Sequence, residues 1–142
     1  MGVRDMGWTL LPAIQELDKP YMTVDFDPQA VDRLQEAEVP VMFGDAGNED
    51  LLSDIRAHKA KMIVSTIPDS HVGADLLRYL KHKRFRGTVI VTAKGREDAM
   101  ELYQLGATFV IVPSVLGGEH FIELLKRKKM QKRYWKATKR VA

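Results

Sequence analysis

The sequence contains no cysteine, so disulfide bonds and thiolate metal sites are both excluded. It also lacks a long apolar run. The longest nearly uncharged stretch, residues 106–118, is broken by Pro113 and is shorter than the ~20 residues that a membrane-spanning helix needs. No secretory segment is recognisable, and we therefore expect a cytoplasmic protein. The 142 residues, 45% of them apolar, are enough for one domain with a buried core.

Acidic residues are missing from the end of the chain. Residues 126–142 carry nine Lys and Arg and no Asp or Glu, which leaves 13 basic and 19 acidic residues, a net charge of −6, in residues 1–125. We therefore predict a domain over residues 1–125 and a basic helical tail over residues 126–142. The tail could contact an anionic membrane surface, nucleic acid or an acidic partner subunit, or could simply extend into solvent. Nucleic acid is the least favoured partner, because no aromatic sheet motif or zinc site accompanies the charge.

Motifs for catalysis and for metal binding are absent as well. The four histidines lack a spacing such as H-E-x-x-H, and neither a G-x-S-x-G elbow nor a lysine-bearing phosphate loop occurs. A second domain that could hold a substrate beside a nicotinamide is also missing. We predict no catalytic or metal-binding residues and no enzyme, with a minimal NAD-dependent oxidoreductase as the weakest alternative.

Helix and strand signals alternate along residues 6–125. A helix is expected over residues 6–17. Five strands follow, the first three ending near Asp25, Asp45 and Ser65 and the fifth ending at Pro113, and a long C-terminal helix over residues 117–140 closes the chain. The third strand is nearly all apolar, as strands covered on both faces are. A helix is expected over residues 49–59, and the expected helix caps are Asp27, Asn48, and either Asp69 or Ser70. This alternation predicts an α/β fold with a Rossmann-like, doubly wound parallel sheet. The first strand of such a sheet, central between the strands that end at Asp25 and Ser65, is missing or supplied from elsewhere.

The opening residues, MGVRDMG, are similar to a phosphate-binding loop. Gly2 and Gly7 have the spacing of the outer glycines of G-x-G-x-x-G, and Arg4 holds the middle position. A turn of this kind before a helix directs backbone N–H groups at a phosphate. Asp25 follows Gly2 by 23 residues at a strand end, where a carboxylate accepts hydrogen bonds from ribose hydroxyls and repels the extra phosphate of NADP. The simpler, structural alternative is that the two glycines allow a close helix packing contact.

Two further strand ends carry candidate ligand-binding residues. Asp45 and Ala46 follow the second strand, where they would flank an adenine pocket. Ser65 and Thr66 follow the third strand and are small enough to leave room for a ligand. Taken singly, each feature has a simpler explanation, since acidic residues often end a strand and begin a turn.

In order and spacing, four segments resemble a known family. They are YMTVDFDPQAVDRL, VPVMFGDAGNEDLL, AKMIVSTIPDSHVGADLLRYLK and GTVIVTAKGREDAMELYQLGATFVIVPSVLGGEHFIELL. The family is the RCK/KTN, or Trk-type N-terminal, nucleotide-binding regulatory domain of potassium channels and transporters, and the versions on Kef-like monovalent cation:proton antiporters are the most similar. The resemblance covers roughly residues 2–125.

The resemblance implies a domain that binds NAD(H) or an adenine nucleotide such as AMP or ATP. It also implies a homodimer or larger ring that gates a membrane cation transporter from the inner face of the membrane. By the family pattern, the ligand contacts the loop, the ribose-binding strand end, the adenine-binding strand end and the third strand. These are Gly2, Arg4, Met6 and Gly7; Asp25 and Phe26; Asp45 and Ala46; and Ser65, Thr66 and Ile67.

The sequence departs from the family pattern at two points. Arg4 stands where a glycine lets the backbone approach the pyrophosphate, and the first strand is missing. Without that strand, buried backbone groups on two inner edges are left unpaired, which is costly. Three explanations are open: a longer parent transporter, a strand from another chain, or closure of the two edges onto each other. We expect the first, together with a compensating dimer contact. An assembly domain that has lost nucleotide binding is the alternative function.

Overall fold

A computed structural model describes residues 5–128 and 131–136 of the chain. Within these residues, helices and strands alternate as the sequence predicts. In chain order they are α1 (Asp5–Glu16), β1 (Thr23–Asp25), α2 (Pro28–Glu36), β2 (Val41–Phe43), α3 (Glu49–Asp54), a 3₁₀ helix (Ala57–Lys59), β3 (Met62–Val64), α4 (Ser70–His82), β4 (Thr88–Thr92), α5 (Arg96–Gln104), β5 (Phe109–Ile111), α6 (Pro113–Lys128) and α7 (Lys132–Lys136).

The strands form two parallel sheets. In the first, β1 pairs with β2, with Val24 opposite Met42. In the second the order is β3-β4-β5, with Val64 opposite Ile90 and Val91 opposite Val110. This confirms the parallel α/β fold. The two edges do not close onto each other, since β1 and β3 belong to different sheets in the described part of the chain.

Local sequence signals set where three helices begin. The Asp27 side chain accepts a hydrogen bond from the Gln29 N–H at the start of α2, with Pro28 in the first helical position. The Asn48 side chain caps α3 through the Leu51 N–H. The Asp69 side chain caps α4 through the N–H groups of His71 and Val72. The sequence predicts Asp27 and Asn48 as caps and leaves Asp69 and Ser70 as alternatives for α4, of which the structure shows Asp69. The caps satisfy N–H groups that have no partner inside the helix.

Three elements differ from the sequence-based expectation. The helix expected to run from residue 49 to residue 59 stops at Asp54, because Arg56 takes a left-handed conformation (φ 54°) and a 3₁₀ turn follows. The strand β3 is not covered on both faces, since Met62 is exposed. The long C-terminal helix is present as α6, which begins earlier than expected, at Pro113, and a separate short helix α7 follows it.

The buried apolar residues form two clusters. The larger lies between the β3-β4-β5 sheet and helices α3, α4 and α5; its most buried members are Leu76, Leu77, Leu80, Val91, Ala93 and Leu102. The smaller comprises Leu11, Leu34 and Val39, and so joins α1 to α2 and β2. The Arg33 guanidinium lies 4.7 Å from the centre of the Trp8 ring, beside this smaller cluster.

None of the described helices combines the length and the apolar character needed to cross a membrane. The beginning of the predicted phosphate loop, residues 1–4, lies outside the described residues. The division of the chain at residue 125 stays a prediction.

The cap of α4 gives a first test of the fold. We expect Asp69→Ala to lower the free energy of unfolding by about 1 kcal/mol, because the carboxylate satisfies two N–H groups at the start of a 13-residue helix. Asp75→Ala on the same helix is the matched control, since its ion pair with Arg78 is exposed and contributes little. Urea unfolding followed by circular dichroism measures both. Equal losses in the two variants would contradict the capping role.

Candidate functional site

Backbone contacts bring the carboxyl ends of the strands to one edge of the fold. The Gly44 N–H, just after β2, donates to the carbonyl of Asp25 at the end of β1 (2.9 Å). A side chain added at Gly47 would lie 3.7 Å from the Cβ of Asp75, in the helix that follows β3. The ends of β1 and β2 therefore lie on the same side of the molecule as the helix that leaves β3. In open α/β sheets this is the edge where ligands bind.

Asp25 supplies a buried carboxylate at this edge. The residue is 6% exposed, and its Oδ1 accepts a hydrogen bond from the Asp27 N–H at 2.9 Å. The strand β1 is anchored at its start by Thr23, whose hydroxyl donates to the carbonyl of Pro40 at 2.8 Å. Because β1 is fixed on both sides of Asp25, the carboxylate is held in one position at the strand end. A fixed acceptor of this kind suits a pair of ribose hydroxyls.

Asp45 and Ala46 form a tight turn after β2. The Asp45 Oδ1 accepts from the Gly47 N–H at 2.8 Å, and its carbonyl accepts from the Asn48 N–H at 3.0 Å. Asp45 is exposed, whereas Ala46 is buried. The carboxylate thus shapes the turn that leads into α3, as the simpler explanation from sequence proposes, and Ala46 presents a small apolar surface next to it.

Ser65 carries the most informative polar group at this edge. It is 3% exposed, its N–H donates to the carbonyl of Ile90 at 2.8 Å, and its own carbonyl accepts from the Thr92 hydroxyl at 2.8 Å. Its hydroxyl oxygen is buried and has no hydrogen-bond partner among the described residues. A buried polar group without a partner is rare and costly. Its presence at the expected binding edge fits a hydroxyl that bonds to a ligand.

The remaining predicted site residues are placed as follows. Thr66 is buried and Ile67 half-buried, directly after Ser65. Phe26 is 61% exposed beside Asp25. Met6 is half-buried and Gly7 buried in the first turn of α1. The predictions for Gly2 and Arg4 fall outside the described residues. The structure therefore brings the ribose, adenine and third-strand candidates to one edge, and their contact with a ligand stays a prediction.

Sequence reasoning missed the role of Thr92. Thr92 is 1% exposed, and its hydroxyl donates a hydrogen bond to the carbonyl of Ser65. This bond fixes the backbone at Ser65 and therefore the position of its hydroxyl. The available signal was a polar residue at the carboxyl end of β4, after three apolar residues.

Cavity shape alone does not locate the site. One cavity of about 260 Å³ lies at the opposite, amino edge of the sheet, between Leu77, Phe85 and Gly106. A shallower one of about 510 Å³ lies over residues 94–98, in the turn after β4. We place the candidate site at Asp25 and Ser65 instead, because these positions combine burial with polar groups that can bind a ligand. No cluster of three or more potential metal ligands occurs in the described residues.

The model of the TrkA-N domain family matches residues 1–113 of the chain. Among curated proteins, the chain is similar to the glutathione-regulated potassium-efflux system protein KefC of Klebsiella pneumoniae. The two are 32% identical over 83 residues, which are 58% of this chain and 13% of KefC. It is also similar to the putative K(+) efflux antiporter KefB of Alkalimonas amylolytica, with 28% identity over 117 residues, 82% of this chain and 18% of KefB. The chain thus spans less than a fifth of these relatives.

Solved structures show the same fold. The TrkA-N domain of inner membrane protein ybaL from Escherichia coli has a TM-score of 0.81 at 22% identity, over 87% of this chain and 92% of that one. The GsuK channel bound to NAD has a TM-score of 0.69 at 20% identity, over 79% and 20%. The Kef C-terminal domain of Shewanella denitrificans in its AMP-bound form has a TM-score of 0.56 at 21% identity, over 82% and 85%. Two of these neighbours therefore bind adenine nucleotides.

Proposed function

Because the chain belongs to the TrkA-N domain family, we propose that it is a regulatory domain that binds an adenine nucleotide or NAD(H) and controls a potassium or other cation transport protein. The observation that carries the proposal is the buried, partnerless hydroxyl of Ser65, at the end of β3, on the side of the molecule where the buried carboxylate of Asp25 ends β1. The fold neighbours with bound NAD and AMP support an adenine nucleotide as the ligand. The relatives named as potassium-efflux proteins support the transport role.

Each group at the edge has a distinct task in this proposal. Asp25 accepts hydrogen bonds from the ribose hydroxyls, and the Ser65 hydroxyl bonds to a polar atom of the nucleoside. Ala46 provides an apolar contact for the base. The phosphates point away from the Asp25 carboxylate, towards the start of α1 at Asp5, where the helix presents backbone N–H groups and the positive end of its dipole.

We propose control by a shift between two arrangements of paired domains, without catalysis. A nucleotide that binds one arrangement more tightly shifts the population towards it, and a coupling of ~1–3 kcal/mol is ordinary for such a switch. The domain acts as a homodimer or larger ring on the cytoplasmic side of the membrane. The transport protein is either the same polypeptide or a partner subunit.

Calorimetric titration of the full chain with NADH, NAD, AMP and ATP tests the proposal. We expect saturable binding of at least one of them with a stoichiometry of one nucleotide per chain. Absence of heat with all four, for a chain that unfolds cooperatively, would overturn the sensor function. It would favour an assembly domain, the function that Arg4 in the middle of the loop supports because an arginine can obstruct the pyrophosphate.

Ser65→Ala separates a ligand-binding hydroxyl from a structural one. We expect it to lower nucleotide affinity by about tenfold, because one hydrogen bond to the ligand is lost. The free energy of unfolding without nucleotide should stay the same or rise, since the variant removes a buried polar group that has no partner.

Thr92→Val is the matched control for this variant. Its hydroxyl has a partner, the carbonyl of Ser65, so its loss should lower the free energy of unfolding by about 1 kcal/mol. Calorimetry and urea unfolding give both readouts. A Ser65→Ala variant that is destabilised and binds nucleotide normally would contradict the role of the hydroxyl.

A further inference from the structure

Helix α6 leaves the body of the protein after its first turn. Val115 packs against the larger core cluster, but from Leu116 to Arg127 every residue except Leu124 is exposed. Four large apolar side chains lie in this exposed part: Leu116 (44%) at its start, and Phe121 (52%), Ile122 (51%) and Leu125 (42%) further along. Neither core cluster includes them, so the fold itself does not account for them.

Three of these residues, Phe121, Ile122 and Leu125, lie within about 100° of one another around the helix. Phe121 and Leu125 are four residues apart and lie one above the other. Glu123 is two residues from both Phe121 and Leu125, which places it about 200° around the helix, on nearly the opposite side. Glu119 is three residues from Ile122 and so lies at the border of the apolar side.

The chain after α6 returns to this apolar side and brings cations with it. The Trp135 ring of α7 lies 5.9 Å from the Phe121 ring, centre to centre, at an angle of 41°. Exposed cations flank the aromatic pair at the end of α6 and in α7: Lys126, Arg127, Lys132, Arg133 and Lys136. Aromatic and aliphatic groups therefore lie directly beside a concentration of positive charge.

We propose that this region binds the surface of an anionic lipid bilayer. We call it the α6–α7 surface and define it by Phe121, Ile122, Leu125, Trp135 and the five cations. Positive charge alone suits any polyanion. The combination with exposed Phe, Ile, Leu and Trp side chains suits a bilayer, where lipid headgroups meet the cations and the acyl boundary accepts the apolar groups. A nucleic acid has no comparable apolar layer that could accept the Phe121, Ile122 and Leu125 side chains.

Vesicle co-sedimentation of the full chain tests the proposal. The vesicles contain phosphatidylcholine alone or phosphatidylcholine with phosphatidylglycerol. We expect binding to the anionic vesicles to be at least about tenfold tighter, and to weaken as salt is raised. Equal binding to both, or tighter binding to a DNA duplex than to anionic vesicles, would overturn the proposal. Self-association of the chain would also overturn the proposal, if vesicle binding is weak and the α6–α7 variants abolish the self-association. Sedimentation at several protein concentrations measures it.

Two variants and one control assign the binding to this surface. Reversing charge with Lys132→Glu, Arg133→Glu and Lys136→Glu should weaken binding to anionic vesicles by at least about tenfold. Phe121→Ser with Leu125→Ser should also weaken it, and the remaining binding should depend more steeply on salt. The control, Lys59→Glu, Lys61→Glu and Arg86→Glu, makes the same change in net charge at exposed positions elsewhere. An equal loss in the control would show that only net charge matters and would contradict the proposal.

Failure of this proposal is distinguishable from failure of the nucleotide site. The α6–α7 surface shares no residue with the strand-end edge, so Asp25→Ala should bind anionic vesicles as the parent chain does. Conversely, the charge-reversed tail variant should bind nucleotide with unchanged affinity.

Discussion

Asp25→Ala should lower the affinity for the proposed nucleotide ligand by about a hundredfold. The proposed ligand contact is a pair of hydrogen bonds from ribose hydroxyls to one carboxylate. Hydrogen bonds to a charged acceptor each contribute about 1.5–3 kcal/mol, and the pair is expected to be less than additive. Asp25 is 6% exposed and fixed at the end of β1. Its carboxylate therefore loses no conformational entropy when nucleotide binds, and the binding free energy is not reduced by such a loss.

The fold should survive this substitution well enough for binding to be measured. The described side-chain bond that Asp25 makes is with the Asp27 N–H, at the turn into α2. Asp25→Asn keeps an oxygen at this position and loses the charge, so we expect an intermediate affinity. Asp32→Asn, exposed on α2, removes the same charge outside the site and should bind nucleotide normally. Calorimetric titration with NADH and AMP measures all three. Unchanged affinity in Asp25→Ala, with cooperative unfolding retained, would remove Asp25 from the site.

The parts of the fold that depend on local chemistry could be predicted from the sequence. Asp27 (followed by Pro28) and Asn48 cap the helices that the sequence assigned to them, and Asp69 is one of the two caps that it offered for α4. A short polar side chain at a helix start accepts hydrogen bonds from neighbouring N–H groups, so this signal is local. The period of apolar residues gave the alternation of helix and strand, and alternation leads to parallel pairing. These effects act between residues that are close in the sequence, so a single sequence is enough to predict them.

Features decided by distant contacts could not be predicted. The left-handed conformation of Arg56 ends α3, and nothing in the neighbouring residues requires it. Tertiary contacts accompany it: Ala57 is buried in the larger core, and the His58 ring nitrogen Nδ1 lies 3.2 Å from the Tyr79 hydroxyl oxygen on α4. Medium-range sequence patterns cannot report such contacts, because the partners are more than 20 residues apart.

In the candidate site, too, local features could be predicted from the sequence and features set by distant contacts could not. The sequence selected Ser65 for its small side chain, on the expectation that a ligand needs room at the end of β3. That its hydroxyl lacks a partner follows only from the structure. The bond that fixes the Ser65 carbonyl likewise comes from Thr92, 27 residues later. Asp25 could be selected from sequence because it lies at a strand end, 23 residues after Gly2. Its burial depends on the surrounding sheet and helices.

Leu102→Ala should cause the largest loss of stability of the variants considered, about 3 kcal/mol of the free energy of unfolding. Leu102 lies in α5 and is fully buried in the larger core cluster. A Cβ added at Gly73 of α4 would lie 3.2 Å from its Cδ2 and 3.9 Å from the Cβ of Val91, so α4, α5 and β4 meet closely here. Truncation leaves a cavity where helix and strand are already in contact, and the surroundings can collapse only partly.

Met100→Ala is the control on the same helix. Met100 is 65% exposed, so its truncation should change the free energy of unfolding by less than about 0.5 kcal/mol. Urea unfolding should show a lower midpoint for Leu102→Ala with an unchanged slope, since the surface exposed on unfolding is nearly the same. A native domain is stable by only about 5–15 kcal/mol, so such a loss would leave the chain folded at room temperature but much easier to unfold. A loss as small as that of Met100→Ala would show that the α4–α5 contact adjusts to fill the space, and that the core is less closely packed than the structure indicates.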